Sequence, residues 1–268
     1  RRMSLHSLLP KRLVTRTRGE CRGVDDFDMK ALVIQLKGQY FDELQRSVEK
    51  HNSRVYLESF RATSPDTIKE DTKQFPWFKW AWPMHSQEDG LDMKTGLYKF
   101  AYKANDQQKK IACSVSHMRA WQECIDYGRP MYVFESDAIL TRELQPHYLT
   151  GADGNPKADI IGLNDPRGAT RRALTFHGFV SARHSETQET IHPVPNLSAV
   201  GEPPVPHGLA GNSAYYITPV GAKKLLEGAK EYGMWPNDAF MCKELFPWIR
   251  TAYPYFTKVS GVKSTTVN

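Results

Sequence analysis

Cysteine is scarce in this 268-residue chain, and the few cysteines form no pattern. Cys21, Cys113, Cys124 and Cys242 show neither CxxC spacing nor an accompanying histidine pattern, which argues against a zinc module and against a disulfide framework. Reduced core thiols are the expectation, and with them a cytoplasmic protein. Long apolar runs are also missing. No window approaches the roughly 20 apolar residues that a membrane-spanning helix needs, which argues against an integral membrane protein and leaves peripheral membrane contact open. The first residues lack the about 7–15-residue apolar core of a signal peptide. No internal repeat or low-complexity block stands out.

What is present is a globular composition, 40% hydrophobic and 25% charged, in a length that suits one large domain or two small ones. The net charge of +6 and a pI near 9.0 favour an anionic partner: a sugar nucleotide, a phosphorylated glycan, a membrane surface or nucleic acid. Part of the excess sits in the first 22 residues, where Arg1, Arg2, Lys11, Arg12, Arg16, Arg18 and Arg22 face only Glu20. Residues 1–28 read as a basic extension, flexible or foreign to the natural start, because Met29 opens a clean strand at once. Residues 29–268 read as a single domain.

Periodicity divides that domain into alternating elements. Residues 29–38 form an apolar strand, 39–52 carry apolar residues at helical spacing, and 53–63 return to strand character, the β-α-β opening of a parallel α/β sheet. Residues 110–128 form a helix with one buried stripe, stopped by Gly128-Arg129-Pro130. Strands follow at 131–136 and 158–163. Residues 164–207 are rich in Gly, Pro, Ser, Arg and His and show little periodicity, the mark of a functional or mobile irregular segment. Residues 211–233 predict a strand, then a helix with Thr218 as N-cap, Pro219 in its first turn and Gly233 at its end. A short helix near Asn237 follows.

The chemistry concentrates at "MYVFESDAIL" (131–140). Ligands of open α/β sheets bind beyond the carboxyl ends of the strands, and Glu135 and Asp137 occupy such an end. On a continuing strand, two acidic residues at i, i+2 share one face. Like charges that close repel, and a divalent cation clamping a diphosphate would satisfy both. A capped turn is the plain alternative. A second unusual stretch is "FPWFKWAWPMH" (75–85), where alternation at Phe78, Trp80 and Trp82 would set three rings on one strand face, suited to stacking on sugars or, with the lysine, on bases. A hydrophobic cluster under a long loop is its alternative.

Ordered blocks along the chain resemble glycosyltransferase family 25, the group of bacterial lipooligosaccharide galactosyltransferases and collagen galactosyltransferases. "ACSVSHMRAW" (112–121) is similar to the family's "ACxxSHxxxW" helix, and "VFESDAIL" follows it as the family's "LEDD"-like strand end does. "GNSAYYITPVGAKKLL" (211–226) resembles the "aYliSxxGAxkLL" block, "WPNDAFM" (235–241) the "pxDxf" element, and "VIQLKG" the opening "VINL" strand. Gln35 stands where the family carries Asn, and Ser136 where it carries a middle acidic residue.

The resemblance implies a GT-A type, Rossmann-like α/β fold with a mostly parallel central sheet, a Mn²⁺ or Mg²⁺ ion, a UDP-sugar donor and inversion at the anomeric carbon. It implies direct metal contact by Asp137, with Glu135 orienting metal or ribose, and a base or metal-proximal carboxylate in Asp238. Ser116 and His117, read as lying just past a helix start, would meet a phosphate. His207 and Asn212 would touch metal or donor sugar, and Ala62-Thr63 would lie near the nucleotide base. Cys113 and Trp121 read as packing. Trp77, Trp80 and Trp82, with Arg171 and Arg172, are the expected acceptor contacts. The ordinary acceptor is a glycan hydroxyl. A hydroxylated DNA base, as in a phage-type modification enzyme, is the alternative that the basic charge allows. A non-catalytic glycan- or nucleotide-binding module is the third reading, against which the retained Glu135, Asp137 and Asp238 argue. Sugar, acceptor and oligomeric state stay open.

Overall fold

The first apolar run forms strand β1 (Met29–Gln35), with Ala31 to Ile34 all buried, as a strand covered on both faces requires. The structure, a computed structural model, describes residues 29–36, 41–102, 106–167, 172–198, 202–209 and 211–261. The basic stretch 1–28 and Arg171 lie outside the described residues. Helix α1 (Asp42–Lys50) buries Leu44 and Val48, one turn apart on one face. Strand β2 (Val55–Arg61) completes the β-α-β unit, pairing in parallel with β1 from Met29↔Val55 to Gln35↔Arg61.

A short helix α2 (Ile68–Asp71) and a small hairpin of β3 (Gly90–Asp92) and β4 (Leu97–Lys99) follow. The aromatic stretch between them departs from expectation. It makes turns and a single bridge, Trp80 to Met234, rather than a strand. Phe75 and Trp82 are buried in the core, with Trp77, Phe78 and Trp80 packed against it. Trp82 donates its indole N–H to the Phe100 carbonyl (2.9 Å) and packs on Tyr102 and Trp235. Core burial of Phe75 and Trp82 outweighed a solvent-facing alternation, so three rings do not line one strand face.

Helix α3 (Gln107–Tyr127) starts three residues before its expected position, because the Asp106 side chain caps it by accepting from Gln108 N (2.9 Å). It ends at Gly128, whose φ of +70° needs glycine. Strand β5 (Met131–Glu135), β6 (Ala138–Leu140) and β7 (Ile160–Gly162) follow. The segment 164–207 then holds a helix, α4 (Ala173–Thr187), and a strand, β8 (Ile191–Pro193), neither of them expected. Only Ala173, Phe176 and Val180 of α4 are buried. So thin an apolar stripe among Ser, Arg and His leaves little periodic signal, and Gln188 rather than Gly takes the left-handed C-cap (φ +57°).

Strand β9 (Ala214–Ile217) leads into α5 (Pro219–Tyr232), where Thr218 Oγ1 accepts from Gly221 N (3.0 Å) and Gly233 ends the helix, as expected. The short α6 (Asn237–Phe240), β10 (Arg250–Ala252) and β11 (Thr257–Val259) complete a mixed α/β architecture. The seven-stranded sheet runs β2-β1-β5-β9-β7-β10-β8. β2, β1, β5, β7 and β10 share one direction, while β9 and β8 oppose it. β5 therefore joins a parallel half to an antiparallel neighbour, within a mixed sheet in which five of the seven strands share one direction. Alternate residues split the core between the two faces. Leu32, Ile34, Met131, Val133, Tyr215 and Ile217 belong to one cluster, with α3 and α5; Ala31, Val33, Tyr132, Phe134, Ala214 and Tyr216 belong to the other, with α1 and β6.

Candidate active site at the strand ends

The shared direction of β2, β1 and β5 brings their carboxyl ends to one edge. Ala62 N donates to the Gln35 carbonyl (2.8 Å) and Ser136 N to the Ile34 carbonyl (3.0 Å), so Ala62-Thr63, Gln35 and Glu135-Ser136 lie side by side. Helix α3 crosses this edge. Thr63 N donates to Ser116 Oγ (2.8 Å), which itself donates to the Ala112 carbonyl (2.9 Å). Arg119 Nη1 reaches the Arg61 carbonyl and Thr63 Oγ1, and buried Asp71 ties Arg61 and Thr67 to the same turn. Ser116 and His117 lie more than two turns inside α3, where the helix dipole has faded; the early start of the helix moves them away from the phosphate-binding position expected of a helix N-terminus. Ser116 is buried and fixes the Thr63 turn.

Glu135 closes β5, and Ser136-Asp137 turn into β6. The two carboxylates are thus carried by a turn and not by one continuing strand, yet they still act on each other. Burial first, and the Glu135 charge second, push the Asp137 carboxyl up from 3.8 to about 6. Asp137 Oδ1 is buried without a hydrogen-bond partner among the described residues. Its backbone is held by Ser260 N, which donates to the Asp137 carbonyl (2.8 Å).

Asp238 enters from the first turn of α6. Its Oδ1 accepts from Ala239 N (3.0 Å) and from the Tyr102 hydroxyl (3.4 Å). Burial raises its carboxyl above the ordinary range, Lys110 opposes that rise, and Glu135 adds to it. Glu135, Asp137, Asp238 and Lys110 therefore form one electrostatic cluster. Behind Asp238, a Cβ on Gly208 would lie 1.7 Å from the Asp238 carbonyl oxygen, so only glycine lets the 207–209 loop back onto α6.

Glu135 is oriented from below by a buried chain of polar groups. Trp121 Nε1 donates to Tyr215 Oη (2.9 Å), Tyr215 Oη meets His117 Nδ1 (2.9 Å), and His117 Nε2 meets Glu135 Oε1 (3.2 Å). Since Trp121 can only donate, the arrangement that leaves no donor unpaired has Tyr215 giving its proton to Nδ1 and Nε2–H donating to Glu135. The Cys113 thiol also meets Glu135 Oε1 (3.9 Å). Burial, then the charges of Glu135 and Asp238, raise that thiol well above its ordinary range, so it stays protonated and donates. Cys113 and Trp121 thus do more than pack. Their spacing with His117, i, i+4 and i+8, was the available signal for one helix face; Tyr215, Tyr102 and Lys110 gave none.

The remaining expected residues among those described are engaged in contacts of the fold. His207 is buried with both ring nitrogens engaged, Nδ1 by Glu244 Oε1 (2.6 Å) and Nε2 by Ser198 Oγ (3.0 Å); Glu244 also accepts from His207 N (2.8 Å). No ring nitrogen is left for a metal in this arrangement. Asn212 is buried, donates to Met241 Sδ (3.0 Å), and lines a narrow cleft with Asn164 and Thr251; the carbonyl of the next residue, Ser213, accepts from Glu135 N (2.7 Å). Arg172 is spent on the Leu197 carbonyl (3.1 Å) and on Glu202 (2.7 Å), and Arg171 is not among the described residues.

The donor set fits a hard divalent cation: the Asp137 oxygen is buried and, among the described residues, unpartnered beside a second carboxylate, the arrangement a cation relieves. Among the described residues, no helix is long and apolar enough to cross a membrane. No curated protein gives a significant match to the chain. Residues 29–241, from β1 to the end of α6, match glycosyltransferase family 25 (LPS biosynthesis protein), and that span contains every carboxylate of the cluster. The chain belongs to glycosyltransferase family 25 and is a glycosyltransferase.

Proposed function

We propose that the chain transfers a hexose from a UDP-linked donor to a glycan hydroxyl, with inversion, using a GT-A type fold and a Mn²⁺ or Mg²⁺ ion. The observation that supports this most is that Glu135, at the carboxyl end of β5, acts electrostatically on both Asp137 and Asp238, with Asp137 Oδ1 buried and without a hydrogen-bond partner among the described residues. Asp137 and Glu135 would hold the cation, which when bound neutralises the departing diphosphate. The turn at Ala62-Thr63, at the ends of β1 and β2, would lie beside the nucleotide base.

Inversion in one displacement needs a proton acceptor on the far side of the anomeric carbon. The acceptor oxygen forms its bond to that carbon as the bond to the diphosphate breaks, its electron pair leaving with UDP. Asp238 takes the hydroxyl proton, and its raised affinity for protons suits that role. The Tyr215–His117 chain holds Glu135 in one orientation throughout. The test is donor consumption from a panel of UDP-hexoses, with and without Mn²⁺, offered a glycan hydroxyl or hydroxymethylated DNA. Metal-dependent transfer to the glycan is expected. Unchanged turnover in a folded Asp137→Ala protein would overturn the assignment, and transfer to DNA alone would overturn the acceptor.

A further inference from the structure

The reading above uses the hard oxygen donors of the cluster and leaves a nitrogen and a sulfur beside them. Cys113 and His117 stand one turn apart on α3, and both side chains aim at Glu135. Cys113 Sγ, His117 Nε2 and a Glu135 oxygen all lie within 4.8 Å of one another, with Nε2 at 3.2 Å and Sγ at 3.9 Å from Oε1. Bond lengths of about 2.0–2.3 Å to tetrahedral Zn²⁺ put its ligand atoms roughly 3.3–3.8 Å apart, so modest rotation of two side chains would close the set. We propose that Cys113, His117 and Glu135 form a binding site for a thiophilic divalent cation, Zn²⁺ by chemical class. The site is distinct from the hard-cation reading in its donors and shares Glu135 with it.

Three further features fit. One thiolate, one imidazole and one carboxylate are a borderline-soft set, which Mg²⁺ and Mn²⁺ use poorly and Zn²⁺ uses well. His117 has a partner for its other ring nitrogen: once Nε2 turns its lone pair to the ion, Tyr215 Oη accepts from Nδ1–H as it does from Trp121, and the tyrosine proton gives up Nδ1 as its acceptor. The Glu135 side chain keeps 35% of its exposure and Cys113 is half-buried, so solvent or substrate can take a fourth position. Binding replaces the thiol proton by the metal, while histidine shifts its proton from Nε2 to Nδ1, so the net release is about one proton per ion. An ion held there occupies Glu135 and competes with the cation of the transfer reaction.

The experiment is titration of the full chain, nucleotide-free, with Co²⁺ as the spectroscopic stand-in for Zn²⁺. The wild type is expected to show a sulfur-to-cobalt charge-transfer band that Zn²⁺ bleaches, lost in Cys113→Ser and kept in Cys21→Ser. Glu135→Gln, which leaves the thiolate, is expected to keep the band with affinity weakened at least about tenfold. Absence of the band from folded wild type, or its persistence in Cys113→Ser, overturns the proposal. Asp137→Asn separates the two readings: it is expected to lose transfer and keep the band. Wild-type transfer without a cobalt band refutes only the soft site, and a band without transfer refutes only the proposed reaction.

Discussion

Replacing Asp137 by Asn removes a carboxylate that the fold holds at a disadvantage. In the folded chain burial and Glu135 raise its pKa from 3.8 to about 6; in the unfolded chain it ionises as an ordinary aspartate. Below about pH 3.8 both states are protonated and the group contributes nothing to stability. As pH rises towards 6 the unfolded state loses its proton first, stability falls, and above 6 the whole penalty is present. A rise from 3.8 to about 6 is worth about 3 kcal/mol. Residual solvent contact and the needs of the new amide reduce the expected gain to about 1–3 kcal/mol. Urea titrations of chelator-treated wild type and Asp137→Asn should therefore coincide near pH 3.5, and the variant should be the more stable at pH 8. Mn²⁺ with UDP should stabilise the wild type at pH 8 and leave the variant unmoved. A variant no more stable than wild type at pH 8, or a difference that does not change with pH, refutes the reasoning.

Tyr215→Phe strands Trp121 Nε1 and His117 Nδ1 in full burial, so unfolding by urea should show a loss of about 1–3 kcal/mol together with slower transfer; an unmoved midpoint and rate would mean the polar chain does not orient Glu135. Gly208→Ala forces a methyl group into the Asp238 carbonyl oxygen, with an expected cost on the order of 1–3 kcal/mol and a fall in kcat larger than any rise in donor KM. Normal kinetics there would show that α6 need not be held in place. Thr218→Ala removes the N-cap of α5 and should cost about 1 kcal/mol with transfer kinetics unchanged, which calibrates how far stability loss alone moves activity.

The opening β-α-β unit, α3, β5 and the β9–α5 pair were legible because their apolar residues recur at clean periods and their caps are local: Thr218, Pro219, Gly233 and Gly128 each act within one turn. Helix α4 was not, since its stripe of Ala173, Phe176 and Val180 is too thin to stand out. Nor was the reversed direction of β9, which depends on long-range pairing with β5 and β7 and leaves no trace in a short apolar run. At the site, Glu135 and Asp137 announced themselves as carboxylates at the end of an apolar strand. Asp238 was reached through the resemblance of "WPNDAFM". Tyr215 is one of two adjacent tyrosines in a buried strand, and only tertiary contact distinguishes the one that meets His117. His207 is the opposite case: a histidine beside glycine reads as available in the sequence, whereas in the fold Glu244 and Ser198 engage both its nitrogens.

The central claim is that the carboxylates beyond β5 carry out glycosyl transfer. Its most direct measurement is UDP release from a UDP-hexose with a glycan acceptor, in the presence and absence of Mn²⁺, by wild type and by the same Asp137→Asn protein whose urea titration shows it folded. Mn²⁺-dependent release by the wild type and its loss in the variant are the predicted results. Equal release by both proteins, or release indifferent to Mn²⁺ and to chelator, would contradict the account.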